Sequence, residues 1–261
     1  MTKAVFFDWF NTLTTYYPPR ENAYAAACCD LGLEVTLDRL SRGLLLADQF
    51  YSDENARTPI KKREPKEMIA VYVRYGQVAL RGAGLPSSEE TVLRVMEKVR
   101  GAFDSPRFAL YDDVLPALAA LKSRRVVMGL ISNIDQDIKP VCSELGLDPY
   151  VTQVVTSKDV RAEKPHPLIF LAALDGAGVE AEESVYVGDQ YSCDVVGARG
   201  VGMKPILVDR YDLFPGITDC VRIRSLTELS FQQYAAAQAL AILLAENNRL
   251  LLELVNKSLK K

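Results

Sequence analysis

Ala4-Val5-Phe6-Phe7-Asp8-Trp9-Phe10-Asn11-Thr12-Leu13 is the stretch on which the reading of the chain turns. Its first four residues are apolar, β-branched and aromatic members included, as in a short strand buried on both faces. A strand of that kind running into Asp8 delivers the carboxylate to the carboxyl edge of a sheet, where open α/β sheets bind ligands. Alone, Asp-x-x-Asn-Thr describes a turn capped by its aspartate; further strand ends along the chain change its weight.

Three later strand ends also present polar groups. Ile131-Ser132-Asn133 offers a hydroxyl and an amide that can donate to an anion at the same edge. Glu163-Lys164-Pro165 fixes an ammonium in a turn, and Val187-Gly188-Asp189 is followed five residues later by Asp194 on the first turn of a helix. Each is common by itself; four in this order form a strong signal. Between them helical and strand patterns alternate: helices over 114–121, 138–145, 167–174 and 195–199, and strands over 125–131, 153–155, 184–187 and 204–208. Alternation of this kind implies right-handed crossovers and a parallel sheet with helices on both faces.

The stretch between the first strand and this region is poor in strand signals. Residues 14–20 read as a polar, proline-containing connection, and helical spacing follows over 21–31, 36–51, 65–83 and 88–103, punctuated by Pro59, Gly84 and Pro86. The fold class expected is α/β: a parallel-sheet Rossmann-like core plus an inserted α-helical cap over the carboxyl edge. The expected boundaries are 1–15 and 105–261 for the core and 16–104 for the cap. Lys61, Lys62 and Arg63 read as a solvated face. The helix expected over 232–260 places Leu240, Leu244, Asn247, Leu251 and Leu254 at alternating spacings of four and three. It reads first as a helix packed on its own core and second as a homodimer seam.

Composition narrows the classes. A net charge of -3 over 261 residues, with no basic cluster, argues against a nucleic-acid partner. Five cysteines, an odd number without a CxxC pair, point to free thiols in a reducing cytoplasm, with Cys28 and Cys29 as small core fillers. No basic start with an apolar stretch behind it and no run of about 18 apolar residues occurs, so no membrane partner is expected. Gly197, Gly200 and Gly202 lack dinucleotide-site spacing. His166 is expected to face solvent or a neighbouring carbonyl.

Together Asp8 to Thr12, Ser132, Lys164, Gly188-Asp189 and Asp194 resemble the haloacid dehalogenase (HAD) superfamily, and the inserted helices resemble its four-helix cap. The resemblance implies that Asp8 is a nucleophile, that Ser132 and Lys164 hold the anion, and that Asp189 and Asp194 hold Mg²⁺. Asp8 and the Phe10 carbonyl would join that metal set. A small-molecule substrate would meet Trp9, Phe10, Asn11, Thr12, Asn133 and Arg20, with Tyr16 and Tyr17 beside Trp9 and Phe10 at an apolar mouth.

The chain departs from the phosphatase pattern Asp-x-Asp-x-Thr in one place. Phe10 occupies the position of the second acid, and a phenyl ring cannot transfer a proton. The dehalogenase branch, which resembles Asp-x-Tyr-Gly-Thr here, also lacks that acid, but it typically replaces the first late acid by Ser with an Asn shortly after. This chain has Asp189 and Tyr191 there. Arg20, Arg39 and Arg42 are available for the cap arginine of a dehalogenase. The late acids weigh more, because paired carboxylates beside a carboxylate nucleophile repel one another unless a cation is present. The expected function is a Mg²⁺-dependent phosphatase on small phosphorylated or acyl-phosphate substrates. The alternatives are a 2-haloacid dehalogenase and a non-catalytic binding protein on the same fold.

Overall fold

The computed structural model describes residues 2–103 and 107–229. The helix expected over 232–260 and its dimer seam lie outside the described residues. Among these residues, six parallel strands form the core sheet in the order β5-β4-β1-β6-β7-β8. They are β1 (Ala4–Phe7), β4 (Val127–Ser132), β5 (Gln153–Thr156), β6 (Ser184–Gly188), β7 (Lys204–Val208) and β8 (Val221–Ile223). β1 pairs with β4 from Ala4↔Val127 to Phe7↔Leu130 and with β6 from Ala4↔Ser184 to Phe7↔Val187.

An inner parallel strand is covered on both faces, which accounts for the unbroken apolar run 4–7. Val5 and Phe7 enter the layer built on α5 (Val114–Ser123) and α6 (Lys139–Glu144), where Leu118, Leu121 and Cys142 are buried. Ala4 and Phe6 enter the opposite layer, where α8 (Pro167–Ala177) and α9 (Val196–Gly200) bury Ile169, Phe170, Ala173 and Ala198. Each fully buried Val, Leu, Ile or Phe among them contributes about 1.5–3 kcal/mol. A single helical turn, α7 (Ser157–Val160), follows β5.

Two strands lie outside this sheet. β2 (Thr14–Tyr17) pairs antiparallel with β3 (Arg107–Leu110), from Thr14↔Leu110 to Tyr17↔Arg107. The polar connection expected over 14–20 is therefore a ribbon strand. Thr-Thr-Tyr-Tyr has the β-branched and aromatic character a strand favours, but its partner lies some ninety residues on, beyond any local pattern. The ribbon carries both crossings between the sheet and the inserted helices, and the boundary expected at 15/16 falls within β2.

The inserted helices are α1 (Arg20–Asp30), α2 (Leu37–Arg57), α3 (Pro65–Gly82) and α4 (Glu89–Val99). Thr36 caps α2 by accepting from Arg39 N–H, and Ser88 caps α4 by accepting from Thr91 N–H. α2 and α3 approach closely at glycines: a Cβ on Gly43 would lie 2.1 Å from the Ala79 carbonyl oxygen. Cys28 is buried in the cap core as expected, but Cys29, one residue on, is exposed. Adjacent helical positions diverge by about 100°, so both could not face inward.

The basic run is also not a uniform solvated face. Arg63 folds back to donate to the Glu54 carboxylate at 2.9 Å and to the Thr58 carbonyl at 3.0 Å, closing the end of α2. Lys61 reaches Asp135 of the core at 2.9 Å, while Lys62 stays exposed. No helix among the described residues is long and apolar enough to cross a membrane.

Candidate active site

The turn after β1 is fixed by its own backbone. The Trp9 carbonyl accepts from Leu13 N–H (3.0 Å), Thr14 N–H (2.9 Å) and Thr14 Oγ1 (3.1 Å), and Asn11 N–H donates to Thr14 O at 2.7 Å. Asn11 sits at φ +59°, a left-handed conformation that asparagine tolerates better than most residues. Asp8 N–H extends the ladder to Val187 O at 2.9 Å. The Asp8 carboxylate is thereby carried at the sheet edge on rigid backbone.

Lys164 faces it from the β5–α8 connection. Its ammonium donates to Asp8 at 2.6 Å, to Asp194 at 2.8 Å and to the Tyr186 hydroxyl at 2.9 Å, with 2% of the residue exposed. Asn133, expected to bind an anion, holds Lys164 instead. Its Oδ1 accepts Lys164 N–H at 2.6 Å and its Nδ2 donates to Lys164 O at 3.1 Å, so both ends of the amide are committed. Ser132, at the end of β4, makes no side-chain hydrogen bond among the described residues and is free to donate.

Sequence reasoning missed Tyr186. The signal was available, because a tyrosine inside an otherwise apolar buried strand must find a partner for its hydroxyl.

Asp194 comes from a wide helical turn, Tyr191–Val195, and is fully buried. Its Oδ1 meets Lys164 and Tyr186, and its Oδ2 accepts Gln190 N–H at 2.9 Å. A Cβ on Gly188 would lie 2.3 Å from that Oδ2. Gly188→Ala is therefore expected to push Asp194 off Lys164, costing about 1–3 kcal/mol of stability as overpacking does and about tenfold or more in turnover. Melting temperature and kcat/KM measured together check this; a variant matching the parent in both would show that the turn absorbs the methyl group.

Asp189 is less committed. One oxygen is 3.4 Å from Thr12 Oγ1, a weak contact. Thr12 itself is buried, and its carbonyl accepts from Arg210 at 2.7 Å. Asp8, Asp189 and Asp194 offer carboxylate oxygens within 4.8 Å of one another. Burial, with the Asp194 charge added, outweighs Lys164 and pushes Asp8 up to about 6. Asp189 is driven well above the usual carboxylate range by burial and then by the charges of Asp8, Asp194 and Asp48. Three carboxylates thus face one contacting cation among the described residues, Lys164.

The cap closes on this edge through α2. Ser52 hydrogen-bonds Cys193 Sγ at 3.1 Å, and Asn55 donates to Glu163 at 2.7 Å. Asp48 takes a bidentate grip from Arg20, whose Nη1 lies at 2.9 Å, and also accepts from Tyr75 Oη (2.9 Å) and Asn11 Nδ2 (3.1 Å). Arg20 and Asn11, both expected at the substrate, are thus held by the cap's own carboxylate. Asp48 was not singled out in the sequence, although it falls four residues after buried Leu44 on the same helix face. Arg39 and Arg42 are exposed on α2.

The expected aromatic mouth divides. Phe10 and Tyr16 stay together, ring centroids 4.6 Å apart, with the Arg20 guanidinium 5.4 Å from the Phe10 ring. Trp9 lies in the core edge-on to Phe108, 1% exposed, while Tyr17 points outward and is 58% exposed. His166 starts α8 and accepts Leu168 N–H on Nδ1 at 3.3 Å.

Fold and cluster together define an α/β hydrolase core carrying a helical insertion over its working edge. The chain belongs to the haloacid dehalogenase-like hydrolases, whose family model matches residues 2–202. It is 29% identical over 226 residues to a glyceraldehyde 3-phosphate phosphatase of Methanopyrus kandleri, covering 80% of this chain and 85% of that protein. To a ribulose-1,5-bisphosphate 5-phosphatase of Halopiger xanaduensis it is 29% identical over 213 residues, covering 80% and 85%. Among solved structures, a HAD phosphatase from Thermococcus onnurineus superposes with a TM-score of 0.51 at 26% identity, covering 87% of this chain and 96% of that one.

Proposed function

We propose that the protein is a Mg²⁺-dependent phosphatase of small phosphorylated or acyl-phosphate molecules, working in the cytoplasm that its free thiols suit. The observation that carries this is the charge imbalance at Asp8, Asp189 and Asp194, against which Lys164 is the one contacting cation among the described residues. Mg²⁺ is bound by one or two carboxylates, with waters and substrate oxygens completing its shell. Asp8, Asp189 and the Phe10 carbonyl would hold it, while Asp194 stands behind them and fixes Lys164. The bound ion would neutralise phosphoryl oxygens.

The remaining chemistry belongs to the chain. An Asp8 oxygen forms a bond to phosphorus as the bond to the leaving oxygen breaks; water then attacks the same phosphorus, releasing phosphate and restoring the carboxylate. Lys164 and Ser132 hold the non-bridging oxygens through both displacements. The names of both relatives and of the solved phosphatase support phosphate over halide as the product. The test is a panel of phosphate esters, acyl phosphates and 2-haloacids assayed with and without Mg²⁺. Phosphate release that needs Mg²⁺ is expected; Mg²⁺-independent halide release would instead make the protein a dehalogenase.

Metal binding should depend on pH in a defined direction. Protons and Mg²⁺ compete for the same carboxylates, so affinity rises as pH climbs through the raised Asp8 value of about 6. The melting-temperature gain on adding Mg²⁺ should therefore be larger near pH 8 than near pH 5. Asp189→Asn should lose most of that gain. A gain that is flat with pH, or intact in the variant, would place the ion elsewhere.

The absent acid at position 10 has its own consequence. General acids contribute about 10²- to 10⁴-fold, most for poor leaving groups such as alkoxides. This phosphatase should favour acyl and activated aryl phosphates over alkyl phosphates. Phe10→Asp should raise alkyl phosphate turnover by about tenfold, below that range because neighbouring Arg20 would favour the ionised form. Fast parental alkyl phosphate hydrolysis that the substitution only slows would mean that another group supplies the proton.

A further inference from the structure

The turn that carries the nucleophile is also held from outside, by a side chain that lies just beyond β7. Arg210 donates through Nη2 to the Thr12 carbonyl at 2.7 Å, and the same fork grips Asp113 through Nη1 at 2.7 Å and Nη2 at 3.1 Å. Its Nε has no acceptor among the described residues, so the two Nη groups carry the contacts. Asp113 is fixed in turn, accepting from Ser225 Oγ at 2.9 Å and from Leu226 N–H at 2.8 Å. The Tyr111 ring lies under the guanidinium, 4.0 Å from its centre, and Tyr111 N–H donates to Leu13 O at 3.1 Å. Two successive carbonyls of the turn, Thr12 and Leu13, are therefore held by one assembly.

Stability alone accounts poorly for this arrangement. The Arg210 and Asp113 side chains are only 12% and 13% exposed, and an ion pair taken so far out of water gains little over the desolvation it costs. What a planar fork supplies is direction, one nitrogen held by the carboxylate while the other is aimed at a single carbonyl. Taking the phosphatase reading as its basis, we propose that Arg210 is a positioning residue: through the Thr12 carbonyl it holds the turn so that the Asp8 carboxylate is aimed at phosphorus. Lys164 and Ser132 come from other elements and make no contact with it. Loss of Arg210 should therefore fall on kcat, with KM little changed.

The test follows phosphate release and, independently, acrylamide quenching of Trp9, which is the chain's single tryptophan and sits buried in the same turn. Arg210→Ala is expected to lower kcat by about 10²-fold, as a displacement of about 1 Å does, with KM within about threefold of the parent. Quenching of Trp9 should rise well below the melting temperature. Added guanidinium, kept too dilute to denature, should bind over Tyr111 and reverse both changes, whereas sodium chloride at equal concentration should not. Arg210→Lys keeps the charge beside Asp113 but loses the fork, so it should melt near the parent and still lose about tenfold in kcat; it decides the matter if Arg210→Ala does not fold. Parental kcat and quenching in a folded variant overturn the inference, as does a loss confined to KM or one in Arg210→Ala that guanidinium leaves untouched. A parent that releases no phosphate removes the phosphatase reading instead, and Trp9 quenching then decides alone whether Arg210 holds the turn.

Discussion

Asp8→Asn is expected to give a folded protein whose turnover is lower by about 10⁴-fold or more, the scale on which a nucleophile's loss is felt. Asparagine keeps the shape, and the Asp8 N–H to Val187 hydrogen bond belongs to the backbone. Lys164 retains Asp194 and Tyr186, so the site loses its attacking oxygen without collapsing. Without metal the variant should also melt higher than the parent above pH 6. The sign follows from the raised Asp8 value: between 3.8 and about 6 the folded state holds more protons than the unfolded one, so this group's contribution falls as pH rises. Removing the charge removes that loss. Phosphate release and melting temperature are the two readings, and turnover near the parent rate would mean that water attacks phosphorus directly.

Lys164→Met should show the larger stability effect. Methionine approximates the length of the lysine stem but leaves two buried carboxylates without their cation, a change that costs about 3–5 kcal/mol at neutral pH. The Asp8 share of the penalty applies only while Asp8 is ionised, so the loss should shrink near pH 5, below the Asp8 value of about 6. Urea denaturation at the two pH values measures it. An equal loss at both would reduce Lys164 to a packing role.

The core was legible because β1, β4 and β6 are short apolar runs that stop on a polar residue, which finds Asp8, Ser132 and Asp189. Lys164, in a turn beyond β5, and Asp194, in a helical turn, were legible only from their order along the chain and from the family resemblance that order carries. The contents of the second ring around them were not legible, because they depend on pairings across the chain. Asn133 turns to the Lys164 backbone 31 residues away, and Asp48 meets Arg20 and Asn11 from a different helix. Ribbon strands β2 and β3 fail for the same reason. Trp9 is a different kind of miss: Val5, Phe7 and Trp9 follow the strand period of two, and extending it past β1 puts Trp9 in the core rather than the mouth. β8, three residues long, is too short to leave a period at all.

The position of β1 in the sheet also governs the order in which the molecule can be assembled. Its two neighbours, β4 and β6, begin about 120 and 180 residues later. The cap helices close on local contacts and can form as soon as they are synthesised, whereas the nucleophile's strand waits, with Phe6 and Phe7 uncovered, for partners still to be translated. Non-local pairing of this kind is slow and leaves apolar surface open in the meantime. A nascent chain therefore carries its first strand unpaired until the second half arrives. No chain stopped before Asp194 has a working edge to assemble.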